Sequence, residues 1–257
     1  MKKSILTLFI LVLLLILTSC VIPQGEVVTL PSLRGMSQAE IKTELDKLGL
    51  KYEFKIKKDQ YYSESDYDRF YEYGNGLMAG NVISKETFLY VWTTPLNLTG
   101  NYIDQVKIDF EYKGKDFTDD GVGIVTLERS VDGDTAYFTD LSGDYVKVRF
   151  LGVDTPESTR ITEAWGKAAS KFTANILNNA KEIVLYQEEQ KKDAYDRHLA
   201  FVFADGVLVN LYLVQEAYSN STLSSSSRYF NVFTTASLEV SKTGRRFWGE
   251  LDPNYSY

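Results

Sequence analysis

The sequence predicts an α+β chain, mostly β, in which an OB-type five-stranded barrel with helices follows a smaller α+β domain. Three observations point there. Beyond Gly121, short apolar segments alternate with tight turns, and five of them have the length and periodicity of strands. Residues at helical spacing interrupt that series after the third strand and close it after the fifth, the order of an OB-type barrel. Upstream, a helix-start signal precedes two stretches with strand character.

In the barrel, residues 122–127 form the first strand, and Asp132-Gly133 is a strong hairpin signal because both residues tolerate the positive φ of a tight turn. Residues 135–138 resume, and Ser142-Gly143 turns the chain into 145–151. Trp165, Ala168, Ala169, Phe172 and Ile176 then recur at helical spacing. Ile183 and Leu185 mark a fourth strand, residues 199–203 a fifth. Helices are expected over about 209–217 and 230–242, the latter stopped by Gly244.

In the smaller domain, Ser37-Gln38-Ala39-Glu40 is a capping box, in which the serine accepts from one helix amide and the glutamate from another. Ile41, Leu45 and Leu48 share one face of the helix it opens, and Gly49 ends it. Residues 51–57 alternate, with Tyr52, Phe54 and Ile56 inward, and 88–92 form another strand. The stretch 59–73, with Tyr61, Tyr62, Tyr67, Tyr71 and Tyr73 among acids, reads as an exposed strand pair or as a stacking surface for sugars or peptides. Residues 96–120 read as a linker with one strand at 106–112.

The first twenty residues place Lys2 and Lys3 before an apolar run at 5–17, the pattern of a signal peptide and shorter than the roughly 20 residues a membrane span requires. The run ends at Leu17-Thr18-Ser19-Cys20, which resembles a bacterial lipobox and implies lipidation of Cys20. Cys20 is the only cysteine, so no disulfide framework is expected. The expectation is a monomer anchored by lipid to the extracellular face of a cell membrane.

Charge narrows the chemistry. With 28 Lys plus Arg against 35 Asp plus Glu, the net charge is -7, so the chain lacks a basic field that gathers polyanions at long range. Any such partner must be held by a local site. His198 is the single histidine, which removes paired-histidine and zinc–histidine chemistry, and it reads as an exposed strand-edge residue. Carboxylates, arginines and a hard metal remain.

Asp134 follows the first hairpin turn, Arg149 lies on the third strand, Asp154-Thr155-Pro156-Glu157 follows it, and Arg197 precedes the fifth strand. Each alone is explained by a turn, a strand end or a surface ion pair. Together they supply what metal-assisted phosphodiester cleavage requires. Two carboxylates and a carbonyl suit Ca2+, a further carboxylate can align a water, and two guanidiniums can clamp phosphate oxygens.

The ordered set VDGDT, RFLGVDTPE, KKDAYDRHLAFVFADG and GRRFWGE resembles the staphylococcal-type thermonuclease family over about residues 121–250. The resemblance implies Ca2+ held by the Asp134 and Asp154 carboxylates and the Thr155 backbone oxygen. Glu157 becomes general base or water positioner, Arg149 and Arg197 hold the scissile phosphate, and Tyr195 hydrogen-bonds a terminal phosphate. It further implies hydrolysis of DNA or RNA to 3'-phosphate products. Ala194 stands where the family often has lysine, and Asp196 where it often has glycine, setting a carboxylate beside Arg197. The loop SNSTLSSSSR occupies the region of the family's base-stacking tyrosines, with Tyr218 and Tyr229 flanking it as candidates. From residue 121 on, 14 basic residues face 18 acidic ones, a net charge of -4.

Residues 27–95, with LPSLRGMSQAEIKTELDKLGL and AGNVISKETFLYVWTTP, resemble a PASTA domain, which implies weak contact with peptidoglycan. The domain plan is then a lipoprotein signal peptide at 1–20, the PASTA-like domain at 27–95, a linker at 96–120 and a nuclease-like barrel at 121–252. The alternative to a nuclease is a lipoprotein that binds nucleic acid or cell wall without catalysis.

Overall fold

The computed structural model describes residues 25–60, 62–189 and 191–257; Cys20 and Tyr61 lie outside the described residues. The chain forms two compact units, one of residues 25–55 and 70–93, the other of 56–69 and 94–257. No helix among the described residues is long and apolar enough to cross a membrane.

In the first unit, β1 (Val27–Thr29) pairs antiparallel with β4 (Val82–Ser84). The other strands, β2 (Lys51–Ile56), β3 (Phe70–Tyr73) and β5 (Phe88–Thr93), form a sheet in the order β2-β5-β3. Helix α1 (Gln38–Lys47) starts at the capping box: Ser37 accepts from the Glu40 amide, and Glu40 accepts from the Ser37 amide at 2.8 Å. Its Ile41 and Leu45 enter a small core with Leu30, Leu33, Leu89 and Val91.

The second unit is the barrel. Strands β6 (Val122–Ser130), β7 (Thr135–Thr139) and β8 (Tyr145–Phe150) form an antiparallel meander. The helix α2 (Phe117–Asp120) precedes them, and α3 (Gly166–Asn179) leads to β9 (Ile183–Tyr186). β10 (His198–Ala204) pairs in parallel with β8 and antiparallel with β9, and β9 pairs with β6, so five strands close on themselves. This is the expected mixed, five-stranded OB-type barrel. A two-residue strand, β11 (Val207–Leu208), extends β10 before α4 (Val209–Gln215), and α5 (Phe230–Ser241) follows. Phe138, Phe150, Phe201, Phe203 and Phe233 fill the interior with 1% exposure or less, each contributing about 1.5–3 kcal/mol by burial. Buried Asn210 ties the strand ends together: its amide group donates to Leu151 O at 2.9 Å and Ala200 O at 3.2 Å, and its oxygen accepts from the Val202 amide at 2.8 Å. That tie fixes the end of β8, where Arg149 sits.

Three expectations change. Residues 106–112 form no strand; Val106 is buried, and Phe110 stacks on Tyr186 at 4.6 Å, so the alternation marks which side chains face the core while the backbone joins no ladder. Among the described residues, 59–73 form no strand pair. Only Phe70–Tyr73 is a strand, Tyr73 is buried, and 56–69 belongs to the barrel unit, where buried Asp59 accepts from the Arg246 amide and the Arg245 guanidinium lies 4.7 Å above the Tyr67 ring. His198 is half-buried rather than exposed. It shares a hydrogen bond of 3.0 Å with Gln187 through Nδ1, packs against Phe117, and its pKa is lowered by burial.

Candidate active site

The hairpin and the loop after β8 build one half of the site. Gly133 carries the chain through the turn in close contact with that loop: a Cβ there would lie 2.7 Å from Thr155 Oγ1 and 2.9 Å from Ala169 Cβ. Thr173 of α3 donates to Gly133 O at 2.6 Å and holds the turn in place. Asp134 is thereby buried at 4% exposure. Its Oδ2 accepts from the Thr155 amide at 2.7 Å and the Thr155 hydroxyl at 3.0 Å, and its Oδ1 is ion-paired with Arg149 Nη1. Burial raises the pKa of Asp134, with the Arg149 charge acting in the opposite direction.

The same guanidinium reaches Asp154, donating from Nη2 to Oδ1 at 2.5 Å. Arg149 therefore stands between two carboxylates, one buried and one with 72% of its side chain exposed. The Asp154 amide donates to Ser219 Oγ at 2.8 Å, which anchors the loop to the segment that follows α4.

Glu157 sits in a closed loop, its amide donating to Glu163 Oε2 at 2.9 Å and its carbonyl accepting from the Glu163 amide at 2.9 Å. The first residue of α3 lies beneath that loop, and a Cβ at Gly166 would come within 2.1 Å of Glu157 O. Glu157 opens onto a cleft of about 670 Å³ that Tyr195, Arg197, Lys147 and Arg160 also line.

Arg197 is fixed by Asp193, a residue that sequence reading passed over. Arg197 Nε donates to Asp193 Oδ2 at 2.6 Å, while the amides of Arg197 and Tyr195 donate to Oδ1 at 3.0 and 2.9 Å. Its position four residues before an arginine in a tight turn was the available signal. Asp196 does not bear on Arg197 as expected: it pairs with Lys192 at 2.8 Å. The backbone explains the family's glycine there, since Asp196 has φ 59°, a left-handed conformation that aspartate tolerates better than most residues. Tyr195 is 81% exposed and lies 5.5 Å from the Arg197 guanidinium.

The structure thus gathers Asp134, Arg149, Asp154 and Thr155 in one cluster and Glu157, Tyr195 and Arg197 around one cleft. The register connects them, because Thr135, next to Asp134, lines the cleft and pairs with Arg149. Tyr218 and Tyr229 are not available for stacking on bases. They are 3% and 7% exposed in the core, and burial pushes the Tyr229 hydroxyl up to about 12.

Among the described residues, no three His, Cys, Asp or Glu side chains form a group that could hold a metal. The residues present are two carboxylates sharing one guanidinium, with Thr155 donating to Asp134 from its amide and hydroxyl. Oxygen-only donors of this kind fit a hard cation that keeps waters in its shell.

A family model described as Staphylococcal nuclease homologue matches residues 147–250. The thermonuclease of Staphylococcus intermedius is 32% identical over 126 residues, which cover 48% of this chain and 74% of that protein. The chain belongs to the staphylococcal nuclease family. Other relatives are the SPbeta prophage-derived endonuclease YokF of Bacillus subtilis, 30% identical over 49% of this chain and 44% of its own length, and the endonuclease YncB of the same organism, 29% identical over 49% and 62%. The chain therefore spans less than two thirds of YokF and YncB. The family model runs from within β8 to the segment after α5, and β6, β7 and Asp134 precede the matched residues.

Proposed function

We propose that this chain is a Ca2+-dependent nuclease that hydrolyses phosphodiester bonds of DNA or RNA and leaves 3'-phosphate ends. One observation supports it above the rest: Arg149 lies between the Asp134 and Asp154 carboxylates while Glu157 and Arg197 share the adjoining cleft. Membership of a family whose relatives carry the names thermonuclease and endonuclease agrees with it.

Asp134, Asp154 and the Thr155 carbonyl would hold Ca2+, which when bound offsets phosphate charge and polarises the P–O bond. Glu157 takes a proton from the attacking water, whose oxygen bonds to phosphorus as the bond to the 5'-oxygen breaks. The 5'-oxygen leaves as a hydroxyl with a proton from solvent, and the phosphate stays on the 3' side. Arg149 and Arg197 match the charge that accumulates on the phosphoryl oxygens, and Tyr195 donates to a terminal phosphate. In Glu157→Gln, hydrolysis of single-stranded DNA is lost while calcium still binds; retained hydrolysis overturns the assignment of Glu157.

A second reading is favoured by the net charge of -4 from residue 121 on and by Ala194: a nucleic-acid or cell-wall binding lipoprotein without catalysis. Oligonucleotide binding without turnover by the unmodified protein supports that reading. We further propose lipid anchoring at Cys20 on the extracellular face of the membrane, monomeric state, and weak peptidoglycan contact by residues 27–95. Cys20→Ala then releases the protein from the membrane fraction, and a pull-down on purified peptidoglycan tests the last.

A further inference from the structure

The outer face of the β6-β7-β8 meander carries a row of cations and rings outside the catalytic cluster. Arg129 is paired with Tyr137, and Tyr137 with Lys147, so the three residues stand side by side across three strands. The Arg129 guanidinium lies 4.1 Å from the Tyr137 ring centre and Lys147 Nζ 5.6 Å. Tyr145, 57% exposed, stacks on Tyr137 with ring centres 5.0 Å apart and planes 24° from parallel. Among the described residues neither cation forms an ion pair. The nearby carboxylate, Glu128, accepts from the Thr139 hydroxyl at 2.6 Å.

We propose that this face is a binding track for an extended single strand of nucleic acid, leading away from the cleft. Lys147 joins the two regions. It lines the cleft with Arg197 and Glu157, and it shares a face of β8 with Arg149 on one side and Tyr145 on the other. The alternation of that strand places Arg149, Lys147 and Tyr145 about 7 Å apart, a repeat on which successive phosphates and bases of an extended strand can register. The exposed Tyr145 ring, backed by Tyr137, serves as a stacking platform for a base without regard to sequence, and the unpaired cations supply the phosphate contacts. The barrel unit is acidic as a whole, so such a strand is held by local cations. The nature of the ligand rests on the nuclease reading above.

The test uses the full chain carrying Glu157→Gln, in calcium, with fluorescent oligothymidylates of about two to about twelve nucleotides. Affinity is expected to rise with length, and Tyr145→Ala to reduce that gain about tenfold, with Tyr145→Phe restoring it. Arg129→Ala with Lys147→Ala makes the slope of log affinity against log salt shallower by about 1.4, as loss of two contacts to a single strand requires. Equal affinity and equal slope in these variants at every length overturn the track. Cleavage by the protein with an intact Glu157 is read alongside. Length-dependent binding without any cleavage overturns the nuclease reading and supports the track; cleavage with binding that ignores length does the reverse.

Discussion

Asp193 is the residue on which the position of Arg197 in the cleft rests, and its removal gives a calculable result. One oxygen accepts two backbone amides and the other accepts Arg197 Nε at 2.6 Å. The side chains of the pair are 17% and 23% exposed, so solvent screens them only in part. A hydrogen bond to a charged group is worth about 1.5–3 kcal/mol and a neutral one about 0.5–1.5 kcal/mol, while water replaces part of the bond to the exposed Tyr195 turn. Asp193→Ala is therefore expected to cost about 2–3 kcal/mol in urea unfolding at pH 7. Asp193→Asn keeps the amide acceptor and loses the ion pair, at about 1–2 kcal/mol. Freed from its anchor, Arg197 misplaces its guanidinium, and kcat/KM on single-stranded DNA falls roughly 10²-fold, the effect of a shift of about 1 Å. The pKa of Asp193 supplies a control. Burial acts upward on it, but the hydrogen bonds from Arg197 and Tyr195 and the Arg197 charge bring it below the usual carboxylate value. Its stabilisation is complete above the unfolded pKa near 3.9 and is lost as pH falls through the lower folded value, so the deficit of Asp193→Asn narrows as pH falls below about 3.9. Unchanged stability and unchanged cleavage in both variants refute the reasoning.

Three further outcomes follow from the geometry. Gly166→Ala drives a methyl into Glu157 O, 2.1 Å away, and should cost more than about 2 kcal/mol in urea unfolding while lowering kcat through the Glu157 loop. Burial raises the pKa of Asp59 to about 7 against the pull of Arg246 and Arg245, so its contribution to stability is present below the unfolded pKa and disappears as pH rises through 7. Asp59→Asn, which can still accept from the Arg246 amide, should flatten that fall by a few kcal/mol when unfolding is compared at pH 5 and pH 8; an unaltered pH profile refutes it. Calcium at about a hundred times its Kd should stabilise the protein by about 2.7 kcal/mol in calorimetry, and Asp154→Asn, at a mostly exposed side chain, should abolish the gain.

Much of the barrel was legible because its strands carry both signals that sequence can hold. Residues 122–127 are an apolar run, 135–138 are rich in aromatic and β-branched residues, 145–150 alternate, and Asp132-Gly133 and Ser142-Gly143 separate them at turns. Residues 106–112 alternate as strictly as 145–150 and form no strand, because period two reports burial and is silent on whether a ladder partner exists. The segment 56–69 was unreadable for a related reason: Asp59 and Tyr67 are held by the Arg245-Arg246 pair, nearly two hundred positions away, and no local pattern encodes such a partner. In the candidate site, Asp134, Arg149, Asp154 and Glu157 were singled out by the chemistry they could perform together. Asp193 and Lys147 were missed because neither is needed to write the reaction. One positions an arginine and the other continues a strand face that matters only once β8 is seen beside the cleft.

The central claim is tested most directly by incubating the full chain with a 5'-labelled single-stranded oligonucleotide in calcium and then in chelator, and identifying the product ends. Cleavage is expected only with calcium, giving fragments that end in 3'-phosphate. Absence of calcium-dependent cleavage, or products bearing 3'-hydroxyl ends, contradicts it.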